Sequence, residues 1–324
     1  MKAIVCNEFA PVSELKFEDR DAPIAGKGQV VIDVAAAGVN FPDSLLVQGL
    51  YQMKPDLPFI PGSEVAGTIA EIGEGVQHLK LGQKVIGLCM LGGYAEKVAL
   101  PMTHVVPIPD TIPLDQAAAL VTAHATAHHA LKQRANLSKD DVLLVTGAAG
   151  GTGLAAVQIG KLMGATVIAV CSTDDKCDVA KENGADICIN YQKEDLKAAI
   201  KSHTNGKGVD VVYECVGGDM FNTCARSMAW NGRLLVIGFA GGEIPKFAVN
   251  LALVKGFSVV GVFWGSFTQH QPNDFMANMK ELLTWCAQGK VKVVIDEAFP
   301  LQNAIAAIAK VTDRKVKGKI VLLP

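Results

Sequence analysis

Apolar positions follow two different patterns along the chain. Up to about residue 120, short β-type apolar runs such as KAIVC at 2–6 and QVVIDVAAAGV at 29–39 are separated by glycine-containing turns. From about residue 121, apolar runs rich in β-branched residues alternate with segments of helical spacing. The strands of this second part are predicted at residues 142–146, 166–170, 187–189, 209–214, 233–238 and 257–263.

The two patterns predict two domains of an α/β protein. Short strands with frequent turns are typical of a compact β-barrel, whereas strands that alternate with helices are typical of a doubly wound parallel sheet. Residues 273–288 and 301–312 have helical spacing, and the final KGKIVLLP has the pattern of a strand. Because the last 60 residues exceed what the parallel sheet needs, we expect them to return to the first domain. The predicted domains are 1–121 together with 265–324, and 122–264.

A turn of small residues follows the first strand of the parallel sheet, in the segment DVLLVTGAAGGTG at 141–153. Small residues there permit a tight turn, let the backbone approach a pyrophosphate and let the next helix pack on the strand. The start of that helix offers backbone N–H groups and a positive dipole end to an anion. The turn therefore predicts nucleotide binding. Its dinucleotide fingerprint positions are Ala148, Gly150 and Gly153, with Gly151 and Thr152 between them.

Composition narrows the class of protein. Of the 324 residues, half are apolar and 19% are charged, as is usual for a soluble globular protein. The net charge of −2 gives no basic surface excess, so we expect no nucleic-acid partner. No apolar run reaches the roughly 18 residues that span a bilayer, and MKAIVCNEF resembles a first strand rather than a leader. We therefore expect a cytoplasmic protein without a membrane association.

The eight cysteines are scattered singly, without a Cys-x-x-Cys pair. In a chain without a recognisable leader, this pattern indicates reduced and mostly buried thiols. Cys171 and Cys215 each end an apolar run, and core packing is the expectation for both.

Several phrases carry a family resemblance that runs the whole length of the chain. They are GVNFPD at 38–43, QGLY at 48–51, PGSEVAG at 61–67, GAAGGTGLAAVQIGK at 147–161, INY at 189–191 and NLALVKGFSVVGVFWG at 250–265. In these phrases the chain resembles the zinc-independent quinone oxidoreductase branch of the medium-chain dehydrogenase/reductase superfamily. The resemblance implies a chaperonin-10-like β domain joined to a Rossmann domain. It also implies hydride transfer from NADPH to quinones or other α,β-unsaturated carbonyls.

The resemblance also bears on metal binding. Zinc-dependent relatives place a cysteine ligand where this chain has Asn40 and a histidine ligand where it has Ser63. Because zinc sites need three or four Cys, His or carboxylate ligands, we expect no metal. His124 and His128 have the four-residue spacing of a metal pair, but no third ligand is evident, which favours a structural or cleft-lining role.

The second strand of the parallel sheet predicts the choice of cofactor. It ends at Cys171 and Ser172 without the acidic residue that binds the ribose 2′-hydroxyl of NAD. Ser172, Lys176 and Tyr191 are instead expected around a 2′-phosphate, which favours NADPH over NADH. Asp174 and Asp175 are the counter-argument, since they either reach a ribose or stabilise a helix N-terminus.

The resemblance carries over further residues of the cofactor site. The predicted set around the nicotinamide and the phosphates is Thr126, Gly217, Gly238, Phe239, Ala240 and Lys319. Phe263 and Trp264, which follow the sixth strand, either border this site or pack in the core.

Catalysis is expected to need few protein groups, because the cofactor supplies the hydride. The protein must polarise an oxygen on which negative charge develops. The resemblance implies Asn40 and Tyr51 as hydrogen-bond donors, with Asp43 orienting them; a helix cap is the alternative for Asp43. Some relatives carry a second tyrosine where this chain has Leu45, so the proton donor stays open.

Other functions and the oligomeric state remain as alternatives. One alternative is an enoyl-thioester or enone reductase, which would use the same hydride transfer. Another is a non-catalytic protein that binds the nucleotide without converting a substrate. The apolar strand FSVVGVFW at 257–264 is expected at a sheet edge, where it must be covered or paired. We therefore predict a homodimer that acts on a small-molecule substrate.

Overall fold

The strands of the computed structural model, which describes residues 1–324, form three sheets. In chain order they are β1 (Lys2–Val5), β2 (Lys16–Asp19), β3 (Gln29–Val39), β4 (Glu64–Ile72), β5 (Lys84–Leu88), β6 (Lys97–Pro101), β7 (Val105–Pro107), β8 (Val142–Thr146), β9 (Thr166–Cys171), β10 (Ile187–Asn190), β11 (Val209–Glu214), β12 (Met228–Val236), β13 (Ser258–Gly261), β14 (Ile295–Pro300) and β15 (Lys319–Leu323).

The helices lie mostly in the second half of the chain. They are α1 (Phe41–Val47), α2 (Leu114–His129), α3 (Gly151–Leu162), α4 (Asp174–Glu182), α5 (Leu196–His203), α6 (Gly218–Arg226), α7 (Asn250–Lys255), α8 (Trp264–His270), α9 (Pro272–Ala287) and α10 (Ala304–Thr312). None of them is both long and apolar enough to cross a membrane. The cytoplasmic location stays a prediction.

The chain divides into two units with a discontinuous first unit. Unit 1 comprises Met1–Thr122 and Lys292–Pro324, and unit 2 comprises Ala123–Val291. The first boundary lies one residue from the predicted one, but the second lies after residue 291 rather than after residue 264.

Contacts within unit 2 account for the later boundary. The ring of Phe267 in α8 stacks on His129 with centroids 3.8 Å apart. The Nε2 of His128 donates a 2.9 Å hydrogen bond to the carboxylate of Glu281 in α9. These contacts attach α8 and α9 to the second half of α2. Residues 265–291 therefore belong with the parallel sheet and not with the first domain.

Unit 2 contains a six-stranded parallel sheet with the order β10-β9-β8-β11-β12-β13. Numbered from β8, this is the order 3-2-1-4-5-6 of a doubly wound Rossmann-type sheet, so the predicted α/β class is confirmed. Leu143, Leu144 and Val145 of the central β8 are fully buried. Such continuous apolar strands are expected where helices cover both faces of a sheet. Ligands of these sheets bind beyond the carboxyl ends of the strands, where the order reverses.

Unit 1 contains a seven-stranded, mostly antiparallel sheet built on the long strand β3. One edge of β3 pairs with β4, while the other edge pairs with β6 near its start and with β15 near its end. The strand β15 thereby carries Lys319 to the end of β3, next to Asn40. Gly67 permits the close pairing of β4 with β3, because a Cβ there would lie 1.9 Å from the carbonyl oxygen of Asp33.

Two strand predictions differ from the structure by two or more residues at an end. The strand β12 begins at Met228, five residues before the predicted start at 233, because the kink at Asn231 (φ 60°) does not end the pairing with β11. The strand β13 ends at Gly261, since Phe263 precedes the first turn of α8 and leaves the sheet.

The cysteines differ from the prediction in one respect. Cys177 and Cys188 form a disulfide, because α4 packs on β10 with the two Cα atoms 5.6 Å apart, within the usual range for a disulfide. The expectation of eight reduced thiols is therefore wrong for this pair. Cys171 and Cys215 are buried free thiols, as expected for core residues.

Candidate functional site

The glycine turn of unit 2 connects β8 to α3. Gly147 has a φ of 58°, and Gly150 precedes the first turn of the helix. A Cβ on Gly153 would lie 2.2 Å from the carbonyl oxygen of Gly147, so this position requires glycine. The first N–H groups of α3, starting at Gly151, have no acceptor within the helix. The turn therefore presents backbone donors and a positive helix end at the carboxyl edge of the sheet, as the sequence predicts.

The hydroxyl of Thr152 fixes the start of α3 to the neighbouring strand. Its Oγ1 lies 2.5 Å from the hydroxyl of Tyr213 in β11 and donates to the carbonyl of Ala123 at 3.4 Å. Tyr213 is fully buried, and burial raises the pKa of its hydroxyl, so it stays a neutral phenol. The predicted residue Thr152 thus has a positioning contact within unit 2, while Ala148 is buried beneath the turn.

The end of β9 brings together the residues predicted for the 2′-phosphate. Ser172 and Lys176 are both half-buried, and the backbone N–H of Tyr191 donates to the carbonyl of Cys171 at 3.2 Å. The backbone of Tyr191 therefore lies beside the end of β9, and the assignment of the three residues to a 2′-phosphate stays a prediction.

Asp174 has partners of its own at the start of α4. It accepts a 2.7 Å hydrogen bond from the side chain of Asn190 and pairs with the ammonium of Lys193. These hydrogen bonds lower the pKa of Asp174. Its position fits the interpretation as an acid at a helix N-terminus rather than as a ribose ligand.

The loops after β11 and β12 are tied to each other by backbone hydrogen bonds. The N–H of Ala240 donates to the carbonyl of Cys215 at 3.0 Å, and that of Gly241 donates to Val216 at 2.7 Å. Gly217 (φ 83°) donates to both carboxylate oxygens of the buried Glu214 at 3.0 Å. Burial raises the pKa of Glu214. The predicted residues Gly217 and 238–240 therefore form one connected edge of the sheet.

The remaining predicted residues of unit 2 lie in different environments. Thr126 is half-buried on α2. Phe263 is 58% exposed and lines a cavity of about 380 Å3 with His129 and Phe267, among others. Trp264 instead packs in the interior against Phe275 at a centroid distance of 5.9 Å. Of the two interpretations of Trp264, core packing describes its position.

His124 and His128 are also interior residues of unit 2. His128 contacts Glu281 and packs its ring 5.3 Å from Trp285, while burial lowers its pKa. His124 and His128 do not belong to a group of three or more potential metal ligands.

Unit 1 contains a buried charged cluster around Asn40. The ammonium of Lys319 donates to Glu64 at 2.9 Å, to Asn40 Oδ1 at 2.5 Å and to the carbonyl of Val39 at 3.1 Å. The amide of Asn40 donates in turn to Glu64 Oε1 at 2.8 Å. The family resemblance implies a place for Lys319 near cofactor phosphates. The structure places it in this cluster, where acceptors of unit 1 take all three of its protons.

A second polar group lies directly beside this cluster. Asp43 accepts the hydroxyl proton of Tyr94 at 2.5 Å and the backbone N–H of Asn40 at 2.7 Å. Burial raises the pKa of Asp43 to about 6, although both hydrogen bonds act in the opposite direction. Burial and the nearby charge of Asp43 also raise the pKa of the Tyr51 hydroxyl. Asp43 therefore caps α1 and binds Asn40 and Tyr94, and its charge acts on the hydroxyl of Tyr51.

The donor set of this region does not suit zinc. Asn40 and Ser63 stand where ligands are expected, and the oxygen of Asn40 already accepts a proton from a cation, Lys319. Cys89 lies beside Ser63, to whose carbonyl its backbone N–H donates at 2.9 Å, and burial and the charge of Glu64 raise the pKa of its thiol. Zinc sites are built from thiolates, imidazoles and carboxylates that are free to bind the ion.

For two members of the unit 1 cluster the sequence predicts no catalytic or binding role. Glu64 and Tyr94 are both fully buried, and Glu64 also accepts the backbone N–H of Thr122 at 2.7 Å. A usable signal exists for Lys319, because it is the single charge of an otherwise apolar strand. Tyr94 has no such signal, since a tyrosine in a β-rich segment is ordinary.

Known protein families match a segment of each unit. Residues 26–110 match the family "Alcohol dehydrogenase GroES-like domain", and residues 151–287 match the family "Zinc-binding dehydrogenase". The chain is 39% identical to the quinone oxidoreductase-like protein 2 homolog of Nematostella vectensis, with 99% of this chain and 88% of that protein covered. It is 32% identical to the quinone oxidoreductase of Rattus norvegicus, with 100% and 98% covered.

This chain belongs to the quinone oxidoreductase branch of the medium-chain dehydrogenase/reductase superfamily. Among solved structures, quinone oxidoreductase of Escherichia coli complexed with NADPH matches with a TM-score of 0.93 and 28% identity, and both chains are covered completely. The resemblance seen in the sequence phrases is confirmed. The β-rich unit 1 contains the segment matched by the GroES-like family, and unit 2 contains the whole segment matched by the second family.

Proposed function

We propose that this quinone oxidoreductase-like chain transfers a hydride from NADPH to quinones or other α,β-unsaturated carbonyls. The observation that carries the proposal is the turn from Gly147 to Gly153, which opens α3 at the carboxyl edge of the parallel sheet. The same fold, over the full length of both chains, belongs to the Escherichia coli quinone oxidoreductase that was solved with NADPH. An oxidoreductase of this family is the conclusion that both findings favour.

Unit 2 supplies the groups that hold the nucleotide. The backbone N–H groups at the start of α3 bind the pyrophosphate, and the loops at Gly217 and 238–240 border the nicotinamide. Ser172, Lys176 and Tyr191 surround the 2′-phosphate, since no acid ends β9 and Asp174 is engaged by Asn190 and Lys193. An acid at the end of β9 would repel that phosphate, which is why its absence favours NADPH over NADH.

Unit 1 supplies the polar groups of the reaction. The bound nicotinamide provides the hydride, so the chain needs donors for the oxygen that becomes negative. Asn40 keeps one amide proton beyond its bond to Glu64, and the Tyr51 hydroxyl has a raised pKa that keeps it protonated. Asp43 orients both through α1. No step uses a metal, because Lys319 already supplies the positive charge beside Asn40.

A substrate panel tests this function. NADPH oxidation is followed with quinones, simple enones and enoyl thioesters, for the wild type and for Asn40→Ala and Tyr51→Phe. We expect turnover of quinones or enones, preference for NADPH over NADH, and a fall in kcat of about 10- to 1,000-fold in the variants if each removes a donor to the oxyanion.

The same panel separates the alternatives. Turnover of enoyl thioesters alone would assign the chain to thioester reduction. Binding of NADPH without turnover of any substrate would favour a non-catalytic nucleotide-binding protein. Metal analysis of the active protein completes the test, because stoichiometric zinc at the Asn40 cluster would contradict the zinc-independent reaction.

We also propose that the chain forms a homodimer through the edge of its parallel sheet. The strand β13 lies at that edge, and exposed apolar side chains surround it: Trp230 (71% exposed), Leu253 (82%), Val254 (74%) and Val259 (40%). Pairing two copies of β13 about a twofold axis would cover the edge. Light scattering should give a dimer for the wild type and a monomer for Val259→Lys with Leu253→Lys. The control Leu81→Lys, at a 66% exposed position of unit 1, should stay dimeric.

A further inference from the structure

Three cysteine sulfurs lie together beneath the start of α4. Cys171 ends β9, Cys177 lies in α4 and Cys188 lies in β10. Their Sγ atoms all lie within 4.8 Å of one another. Cys171 and Cys177 are 3% and 5% exposed, whereas Cys188 is half-buried. The five other cysteines do not join a cluster of this kind.

The sheet register explains why these three sulfurs meet. Cys188 is opposite Ala169 in the parallel pairing of β10 with β9, and Cys171 lies two residues after Ala169. Side chains two residues apart on a strand point to the same face. Cys171 and Cys188 therefore share the face on which α4 packs, and Cys177 comes from the first turns of that helix.

The surroundings of the cluster favour sulfur chemistry over oxygen or imidazole chemistry. Neither a histidine nor a carboxylate belongs to the group, and ligand sets made only of thiolates select soft cations. Burial raises the pKa of the Cys171 thiol to about 11, while the backbone N–H of Ala149, which donates to its sulfur, acts in the opposite direction. The positive end of α4 lies beside Cys177, and a bound cation would compensate for the burial of the thiolates.

The spacing also suits a bound ion. Zinc–sulfur bonds of about 2.3 Å put ligand sulfurs about 3.8 to 4 Å apart, which lies within the span of the cluster. The half-buried Cys188 gives an ion a path to the site and leaves room for a water as a fourth ligand.

We propose that Cys171, Cys177 and Cys188 form a binding site for one soft divalent cation, Zn2+ or Cd2+, once the Cys177–Cys188 disulfide is reduced. A dithiol reductant supplies the two electrons and two protons that convert the disulfide into two thiols and is itself oxidised to a disulfide. The cation then displaces the three thiol protons and bonds to the three sulfurs. This site lies in unit 2, is separate from the Asn40 cluster and does not depend on the proposed reductase activity.

Cadmium titration of the whole chain tests the site. The protein is reduced, freed of reductant under argon and titrated with Cd2+, and the sulfur-to-cadmium charge-transfer absorbance is recorded in the ultraviolet. We expect one equivalent of Cd2+ per chain, and Cd2+ should displace Zn2+ in competition because thiolate ligands prefer the softer cation. The oxidised protein, in which two of the sulfurs form the disulfide, should show no such absorbance.

The variant Cys171→Ser separates a three-sulfur site from a simple dithiol. It keeps the Cys177–Cys188 pair, but we expect at least about 100-fold weaker Cd2+ binding, since even outer-shell partners of a metal contribute about 10- to 100-fold. Cys286→Ser, at a half-buried position away from the cluster, is the control and should bind as the wild type does.

Circular dichroism of each variant verifies that it is folded, and Cys188→Ser is a second ligand variant. Absence of the charge-transfer band in the reduced wild type would overturn the proposal. Binding that survives equally in both ligand variants would overturn it too.

Discussion

The ammonium of Lys319 lies 2.9 Å from the carboxylate of Glu64, and the two side chains are 5% and 0% exposed. An isolated charge at such depth is strongly unfavourable, whereas a pair with further hydrogen bonds is tolerated. Asn40 completes this set by bonding to both partners. The residue that we assign to the reaction is thus held in place by a buried ion pair.

Removing one member of this pair should destabilise unit 1. Lys319→Met leaves Glu64 buried without a cation, and we expect a loss of about 3 to 5 kcal/mol in the free energy of unfolding. Urea denaturation measures it. The control Lys315→Met removes a lysine from an exposed pair with Asp313, for which a change below about 1 kcal/mol is expected. Equal effects of the two substitutions would show that burial does not set the strength of the Lys319 pair.

Asp43 should make stability depend on pH in a defined direction. Burial raises its pKa from 3.8 to about 6, so the folded chain binds this proton more tightly than the unfolded chain. The stabilisation is complete below pH 3.8 and is lost as the pH rises through 6. At 1.36 kcal/mol per pKa unit, the loss amounts to about 3 kcal/mol.

Unfolding of the wild type and of Asp43→Asn at several pH values measures this loss. The wild type should lose stability relative to the variant between about pH 4 and pH 7. Tyr94→Phe removes a hydrogen bond that lowers the pKa of Asp43, so it should move the midpoint upward. A difference that stays constant with pH would contradict the assignment.

The glycine turn should be sensitive at one position and tolerant at another. A Cβ on Gly153 meets the carbonyl oxygen of Gly147 at 2.2 Å, whereas a Cβ on Gly150 meets the same atom only at 3.4 Å. Gly153→Ala should therefore lower both the stability of unit 2 and the affinity for NADPH. Gly150→Ala should leave the melting temperature within a few degrees of the wild type. The two variants are compared by thermal unfolding and by quenching of NADPH fluorescence, and identical melting temperatures would refute the steric argument.

Cofactor choice should change when an acid is placed at the end of β9. Ser172→Asp puts a carboxylate where we expect the 2′-phosphate, and like charges in contact repel. The Kd for NADPH should rise about 10- to 100-fold, while the Kd for NADH changes little. The control is Ser172→Asn, because asparagine has nearly the shape of aspartate but no charge. A rise in Kd for both cofactors alike would mean that Ser172 does not contact the 2′-phosphate.

The parallel sheet was predictable because its signals are local. Each of its six strands is an apolar run followed by a helical segment, and the glycine turn after β8 has a fixed spacing. The end of unit 2 was not predictable in the same way. The helices α8 and α9 join it through side-chain contacts with His128 and His129, more than a hundred residues earlier in the chain.

The candidate site shows the same difference between residues with local sequence signals and residues that depend on long-range contacts. The residues around β8 and β9 follow from strand order, and Asn40, Asp43 and Tyr51 come from short phrases. The contacts of Lys319 with Asn40 and Glu64 connect positions 279 and 255 residues apart, and no local pattern encodes them. The proximity of Cys177 to Cys188 likewise depends on how α4 packs against β10.

The central claim is that the hydride passes directly from NADPH to the substrate without a metal. The most direct measurement uses NADPH deuterated at C4 of the nicotinamide, an α,β-unsaturated ketone and a large excess of chelator. Mass spectrometry and NMR of the product should locate deuterium on the carbon β to the carbonyl, and the chelator should leave the rate unchanged. Product without deuterium from either face of the labelled nicotinamide, or turnover that returns only when zinc is added, would contradict the account.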